Sequence, residues 1–240
     1  MIQTERVPTG IAGLDPLLQG GFPKGRSILV TGEPGTGKTI FALQFLYSGL
    51  KHGENGVFVT TDEAPMDVIE QAASLGWDLE PHIQKKTLAI LNAGSYLSSL
   101  FGAAADRNID VQKAVSDLAG VVNQIGAQRL VLDPAGPFVL LRDSIVRVQD
   151  QTRLLIQSLR ASMPTTNLLT SYAAPRPGQR STHGIEEYLV AGAVVLEMIW
   201  NNGALARSLI VEKMRSTNVK PKQLEFDIVQ DEGIVLSTAL

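Results

Sequence analysis

The chain has 240 residues, 44% of them hydrophobic, and a formal net charge of −3. That length suffices to bury a full core within one α/β domain, and the mild acidic balance, without a run of like charges, argues against nucleic acid or anionic lipid as the principal partner. With no cysteine, there is no disulfide framework, no thiolate zinc site and no thiol redox chemistry. The segment Met1–Arg6 lacks a hydrophobic signal core, and no apolar run approaches the roughly 18 residues that span a bilayer, so a soluble, cytoplasmic protein is expected.

In chain order, Arg26–Thr31 is predicted as a buried strand. Thr39–Leu50 is predicted as a helix, because Ile40, Leu43, Phe45, Leu46 and Leu50 recur at helical spacing. Across their junction, Gly32-Glu33-Pro34-Gly35-Thr36-Gly37-Lys38-Thr39 fits the pattern G-x-x-x-x-G-K-[ST] in the strand-to-helix setting that gives the pattern meaning. Gly32, Gly35 and Gly37 let successive N–H groups converge on phosphate oxygens, and the helix start adds partial positive charge. A triphosphate fits such a loop, with Lys38 reaching its β- and γ-phosphates and the Thr39 hydroxyl ligating Mg2+.

Val57–Thr61 reads as the next strand and Pro65–Ser74 as a helix opened by proline in its first turn. Thr87–Leu91 follows as a strand. A helix from Asp110 carries Val111, Val115, Leu118, Val122 and Ile125 on one face and ends at Gly126. Arg129–Asp133 is a strand ending in a carboxylate, Ile145, Val148, Leu155, Ile156 and Leu159 mark another helix, and Leu168–Thr170 another strand. Such alternation predicts parallel βαβ units. From about residue 193 the pattern becomes short β-like runs: Ala193–Met198, Ser208–Met214, Leu224–Ile228 and Ile234–Leu236. These predict antiparallel strands at one edge of a mostly parallel sheet. The segment Ala173–Gly184, rich in proline and glycine, follows a core strand at the end of the sheet where α/β folds bind ligands. It reads either as a sensor of nucleotide or partner, or as a solvated connector.

Asp133 is placed to hold Mg2+ through water opposite Thr39, or else to cap the turn before Pro134. Asp62 and Glu63 close a strand at the same edge, so either could orient an attacking water, or cap the helix at Pro65. Lys213 and Arg215, two apart on a late strand, share a face. They are either charges protecting an edge strand or cations presented to a phosphate in a neighbouring subunit, an arrangement that raises hydrolysis by roughly 10³–10⁵. Trp77 and Trp200 are expected to be packing groups, Met198 and Met214 core fillers, and His52 a polar residue near a helix end.

These segments together resemble the RecA-like ATPases and, within them, the KaiC-like proteins of the circadian clock group. Several stretches look like that family: Thr9-Gly10-Ile11-Ala12-Gly13-Leu14-Asp15 with Gly20-Gly21-Phe22-Pro23-Lys24-Gly25, the run Gly32–Leu50, the stretch Gly56–Leu79 with Gly76-Trp77-Asp78, and Lys213-Met214-Arg215. Nearly the whole chain is covered. The resemblance implies a RecA-like P-loop fold and a ring, usually a hexamer, with ATP between subunits. It places Asp62-Glu63 at the catalytic acidic pair, Lys213 and Arg215 across the interface, and Ser74 and Asp231 near the adenosine.

Departures matter as well. Asp62 stands where the family usually has glutamate, which implies slow hydrolysis. The chain holds one unit where clock proteins hold two, and Glu187-Tyr188 stands where the autophosphorylating half has its Ser-Thr pair, which weighs against self-phosphorylation. Val219 lies near the position of a ribose-contacting histidine.

The leading expectation is a slow ATPase whose nucleotide state switches a ring surface read by a protein partner. A second is a RecA-like, DNA-dependent ATPase of recombination or repair, gripping DNA through Arg176, Arg180 and His183. Only 5% aromatic residues and the acidic balance disfavour it, as does the absence of a helix-hairpin or zinc module. A third is a protein in which ATP serves only as assembly glue.

Overall fold

A computed structural model describes residues 4–94, 96–97, 110–139, 145–172, 189–201 and 203–237. A two-stranded ribbon of β1 (Arg6–Val7) and β2 (Phe22–Pro23) brackets the short helix α1 (Leu14–Leu17). There follow β3 (Ser27–Gly32), α2 (Lys38–Lys51), β4 (Gly56–Thr60), α3 (Pro65–Ser74), α4 (Glu80–Gln84) and β5 (Leu88–Asn92). Next come α5 (Val111–Ile125), β6 (Arg129–Asp133), α6 (Ile145–Ser162) and β7 (Thr166–Tyr172), then β8 (Gly192–Asn201), β9 (Ala204–Met214), β10 (Gln223–Val229) and β11 (Gly233–Leu236). Strands β3 to β11 form a nine-stranded sheet in the order β11-β10-β9-β8-β3-β7-β6-β4-β5.

The six strands from β8 to β5 in that order are parallel, and β9, β10 and β11 run antiparallel at one edge. The reversal thus begins one strand later than the composition suggests, since β8 still pairs in parallel with β3.

Strand alternation divides the core into two layers. Ile28, Val30, Phe58, Val131 and Leu168 point to the face covered by α2, with Phe41 and Phe45, and by the α3 region with Trp77. Leu29, Val57, Val59, Leu130, Leu132 and Leu169 point to the face of α5 and α6, with Val115, Val122, Leu155 and Leu159. Both faces of the parallel strands are buried, which is why they read as continuous apolar runs. Helix α5 has the expected ends: Asp110 accepts from the backbone N–H of Lys113 at 2.9 Å, and Gly126 at φ +61° closes it.

One buried polar group joins the phosphate-loop helix to the far edge of the sheet. Gln44 of α2 donates to the carbonyls of Gly10, Glu232 and Ile234 at 2.9, 3.0 and 3.2 Å and accepts from the Ile234 N–H at 2.7 Å. Another joins α2 to β6. Arg129, 1% exposed, pairs with Glu54 at 2.5 Å, donates to the carbonyls of Pro8 and Phe45, and stacks over the Phe45 ring at 4.6 Å. Burial pushes its pKa down, and Glu54 opposes that shift. Arg129→Ala is therefore expected to cost about 3–5 kcal/mol in denaturant unfolding, because it leaves Glu54 unpaired and two carbonyls without their donor. A cost under about 1 kcal/mol would show that water replaces the guanidinium.

Two packing expectations fare differently. Trp77 is 3% exposed, but Trp200 is 78% exposed and pairs across β8–β9 with Leu205, also exposed. The Trp200 expectation is corrected: the ribbon's end leaves it without a facing layer. Met214 is buried and Met198 half-buried, while His52 caps the end of α2 with Nδ1 2.7 Å from the Ser48 carbonyl.

Candidate phosphate-loop site

The carboxyl ends of β3, β4, β6 and β7 converge on a cavity of about 300 Å³ whose lining includes Pro34, Gly35, Gly37, Lys38, Thr39, Asp62, Glu63, Gln71, Asp133, Thr170 and Tyr172. The loop between β3 and α2 turns sharply at its start. A Cβ on Gly32 would stand 2.5 Å from the Leu196 carbonyl oxygen of β8, so only glycine lets the two strands approach there. Gly37, at φ +103°, opens α2 in a conformation that L side chains rarely adopt. No side chain caps that helix start, so the first N–H groups of a 14-residue helix are available to an anion. Thr36, fully buried, holds the loop's shape by donating its hydroxyl to the Glu33 carbonyl at 2.8 Å.

Lys38 Nζ donates to the Gly32 and Glu33 carbonyls at 2.8 and 2.9 Å. Burial lowers its pKa, and the Asp133 and Glu33 carboxylates oppose the change. Asp133, 9% exposed at the end of β6, accepts from the hydroxyls of Thr170 and Thr39. Burial holds its carboxyl above the usual aspartate range against those two hydroxyls and the Lys38 ammonium. A buried, oxygen-rich corner with a carboxylate of raised pKa beside a hydroxyl is chemistry that suits a hard divalent cation, whose charge would remove the desolvation burden. The plain turn-capping reading of Asp133 does not account for these partners.

Asp62 and Glu63 follow β4 and face the same cavity. The segment is tied to β6: the Thr61 N–H donates to the Asp133 carbonyl at 3.2 Å. Both Glu63 carboxyl oxygens accept from Gln71 Nε2, at 3.3 and 3.2 Å, and its backbone is held by the Thr60 hydroxyl and Asn92. Burial pushes the Glu63 pKa up, reinforced by Asp133, Asp67 and Asp62. Asp62 accepts from Thr61 Oγ1 at 3.1 Å and from the Tyr172 hydroxyl at 3.4 Å. The helix starting at Pro65 is capped by Asp67, whose Oδ2 accepts from the Ala64 N–H at 3.0 Å, so neither Asp62 nor Glu63 is consumed as its cap.

Lys213 and Arg215 lie at the opposite end of the sheet. Lys213 pairs with Ala193 and donates to the Val190 carbonyl at 2.9 Å, and the Arg215 N–H donates to the Ala191 carbonyl at 2.7 Å, beside the start of β3. The length of β3, about 20 Å, separates them from their own phosphate loop. The expectation of a shared strand face does not reach Arg215, because β9 ends at Met214. Arg215 lines a second cavity, of about 420 Å³, with Arg26, Arg153 and Arg160.

Ser74 and Asp231 are brought near one another: the Asp231 N–H donates to the Leu75 carbonyl at 3.1 Å, and Ser74 closes α3 with its hydroxyl on the Gln71 carbonyl at 2.7 Å. Val219 is a half-buried group packed against the core. The loop Ala173–Gly184 and the Glu187-Tyr188 pair lie outside the described residues.

Four lining or supporting residues were not singled out from sequence: Thr170, Gln71, Tyr172 and Arg207, the last with Nε 3.4 Å from the Gly35 carbonyl. Only Gln71 left a signal, two turns into the helix that follows Glu63.

This strand order, with the glycine-rich loop leaving a central parallel strand, defines a RecA-like P-loop protein. The family model described as "ATPase: KaiC" matches residues 7–239, and the chain belongs to that family. It is 35% identical to a UPF0273 protein of Methanopyrus kandleri over 96% of this chain and 91% of the other. It is 33% identical to the circadian clock oscillator protein KaiC of Prochlorococcus marinus, matching 98% of this chain but only 46% of that one. The solved structure of a KaiC-like protein from Pyrococcus horikoshii, 34% identical, superposes with a TM-score of 0.82 over 98% of this chain and all of the other. Among the described residues no helix is long and apolar enough to cross a membrane.

Proposed function

We propose that the protein binds Mg-ATP at the loop Gly32–Thr39, hydrolyses it slowly, and uses the bound state to switch a self-assembled ring that serves as a surface for another protein. The observation that carries this reading is the convergence on one cavity of Lys38, the Thr39–Asp133 pair and the Glu63 carboxylate. Thr39 and Asp133 would hold Mg2+, which when bound would draw charge from the β- and γ-phosphate oxygens. Lys38 stabilises the phosphate oxygens. Glu63 takes a proton from the attacking water as its oxygen bonds to the γ-phosphorus, and the bridging oxygen leaves with the diphosphate. Asp62 orients that water, and its short side chain supports slow turnover. Ser74 and Asp231 are assigned to the adenosine end, and Lys213 and Arg215 to the neighbouring subunit's phosphates.

ATP turnover and molar mass in solution, measured with and without Mg-ATP and single-stranded DNA, test this. A nucleotide-dependent ring with DNA-independent turnover is expected. DNA-stimulated turnover would replace the switch by a motor, and a ring without turnover would leave ATP as glue.

The pH profile provides a second expectation. Because burial raises the Glu63 pKa, the base becomes protonated at a higher pH than an ordinary glutamate as pH falls. Turnover should therefore decline on the acid side at a pH above the ordinary glutamate range. Glu63→Gln should lower turnover by roughly 10²–10⁴ and abolish that limb. An unchanged acid limb in Glu63→Gln would assign the base elsewhere.

A further inference from the structure

Tyr172 is the last residue of β7 and 55% exposed, so hydrophobic burial does not explain where its ring rests. Its ring centroid lies 4.8 Å from Lys38 Nζ, and its hydroxyl donates to Asp62 Oδ2 at 3.4 Å. Both contacts are with groups that the phosphate chemistry needs. The Lys38 ammonium has three N–H groups, of which the Gly32 and Glu33 carbonyls take two. The aromatic face thus competes with an anion for what remains.

We infer that Tyr172 is a plug in the terminal-phosphate position: its ring covers Lys38 and its hydroxyl engages Asp62 until a triphosphate displaces it, whereas a diphosphate leaves it in place. The inference rests on the nucleotide-binding reading above.

Three physical points support it. A phosphate oxygen carries full charge, and a charge-assisted hydrogen bond to the ammonium outweighs the ring quadrupole, so displacement by the γ-phosphate is favourable. The β-phosphate sits in the cradle of loop N–H groups, while the γ-phosphate extends toward the carboxylates that hold the attacking water, which is where the Tyr172 hydroxyl now points. Burial and the nearby Asp62 charge raise the hydroxyl's pKa, so it stays a neutral donor to that carboxylate.

The consequence concerns substrate against product. The γ-phosphate must enter the space between Lys38 and Asp62 that Tyr172 spans, whereas the β-phosphate, held by the loop N–H groups, meets only the ammonium, so the triphosphate bears the larger cost and the plug narrows the preference for ATP over ADP. Tyr172 is a positioning residue in this scheme, setting which nucleotide occupies the site.

The test is equilibrium binding of Mg2+ complexes of ADP and of a β,γ-imido ATP analogue to the wild-type chain, Tyr172→Ala and Tyr172→Phe, with thermal melting of each. Tyr172→Ala should bind the triphosphate analogue roughly three- to tenfold more tightly, the scale of one lost cation–π contact, and ADP within twofold of wild type. Tyr172→Phe keeps the ring over Lys38 but loses the contact with Asp62, so it should tighten triphosphate binding by less than Tyr172→Ala and leave ADP within twofold of wild type. Equal changes for the two nucleotides in Tyr172→Ala, or none, would overturn the plug while leaving nucleotide binding intact. A wild-type chain that binds neither nucleotide would overturn the phosphate-loop reading itself. Should Tyr172→Ala melt early, Tyr172→Leu preserves bulk without the π face and is held to the same split.

Discussion

Lys38→Ala is expected to lower ATP turnover by on the order of 10³ while leaving the fold nearly unchanged. Lys38 is 9% exposed and its ammonium is held on two carbonyls of its own loop, so it is aimed before any ligand arrives. A preorganised cation in a partly dehydrated site stabilises developing charge without reorganising at the moment of reaction, which is why its loss falls on turnover. Stability should change little for a separate reason. Burial already disfavours the charged ammonium, as its lowered pKa shows, so alanine removes a desolvated charge together with its two hydrogen bonds. The melting temperature should move by no more than a few degrees, about 1 kcal/mol in a chain of this size. Turnover within tenfold of wild type would mean that the loop does not hold the reacting phosphate.

Much of the sheet was legible because its parallel strands are buried on both faces. A run such as Ser27-Ile28-Leu29-Val30 divides its side chains between two layers, and such a run flanked by helical periodicity has few other homes. The bounds of α3 were legible from Pro65 at its start, and those of α5 from Asp110 and Gly126. The ribbon of β1 and β2 was not legible, since two-residue strands carry no period. Nor was the parallel pairing of β8, because direction is set by which neighbour the strand finds rather than by its own residues. Trp200 misled for a related reason: its exposure depends on where the β8–β9 ribbon outruns the helices.

Within the site, residues with a motif or a strand-end position could be read, as with Lys38, Thr39, Asp133, Asp62 and Glu63. The groups that orient them could not. Thr170 fixes Asp133 from a strand distant in sequence, and the half-buried Gln71 fixes Glu63 from α3. Such contacts follow from the strand order β7-β6-β4 and leave no local pattern. Arg215 was legible only as a charge, and it stands about the length of β3 from its own phosphate loop.

That separation leads to the second large effect. If the cation serves the next subunit's γ-phosphate as proposed, Arg215→Ala is expected to lower turnover by roughly 10³ while the phosphate loop still binds nucleotide. Mixing Arg215→Ala with Lys38→Ala chains, each nearly inactive alone, distinguishes this from a local role. An interface between the intact loop of the first and the intact arginine of the second is complete. Random assembly into a ring makes about a quarter of all interfaces of that kind, so the mixture should recover about a quarter of wild-type turnover. Recovery must also vanish on dilution below the concentration at which the ring assembles, since the two chains complement only in contact. A mixture no more active than its components, with mixed rings present, would place Arg215 outside the reaction and leave its cleft with Arg26, Arg153 and Arg160 as a structural seam.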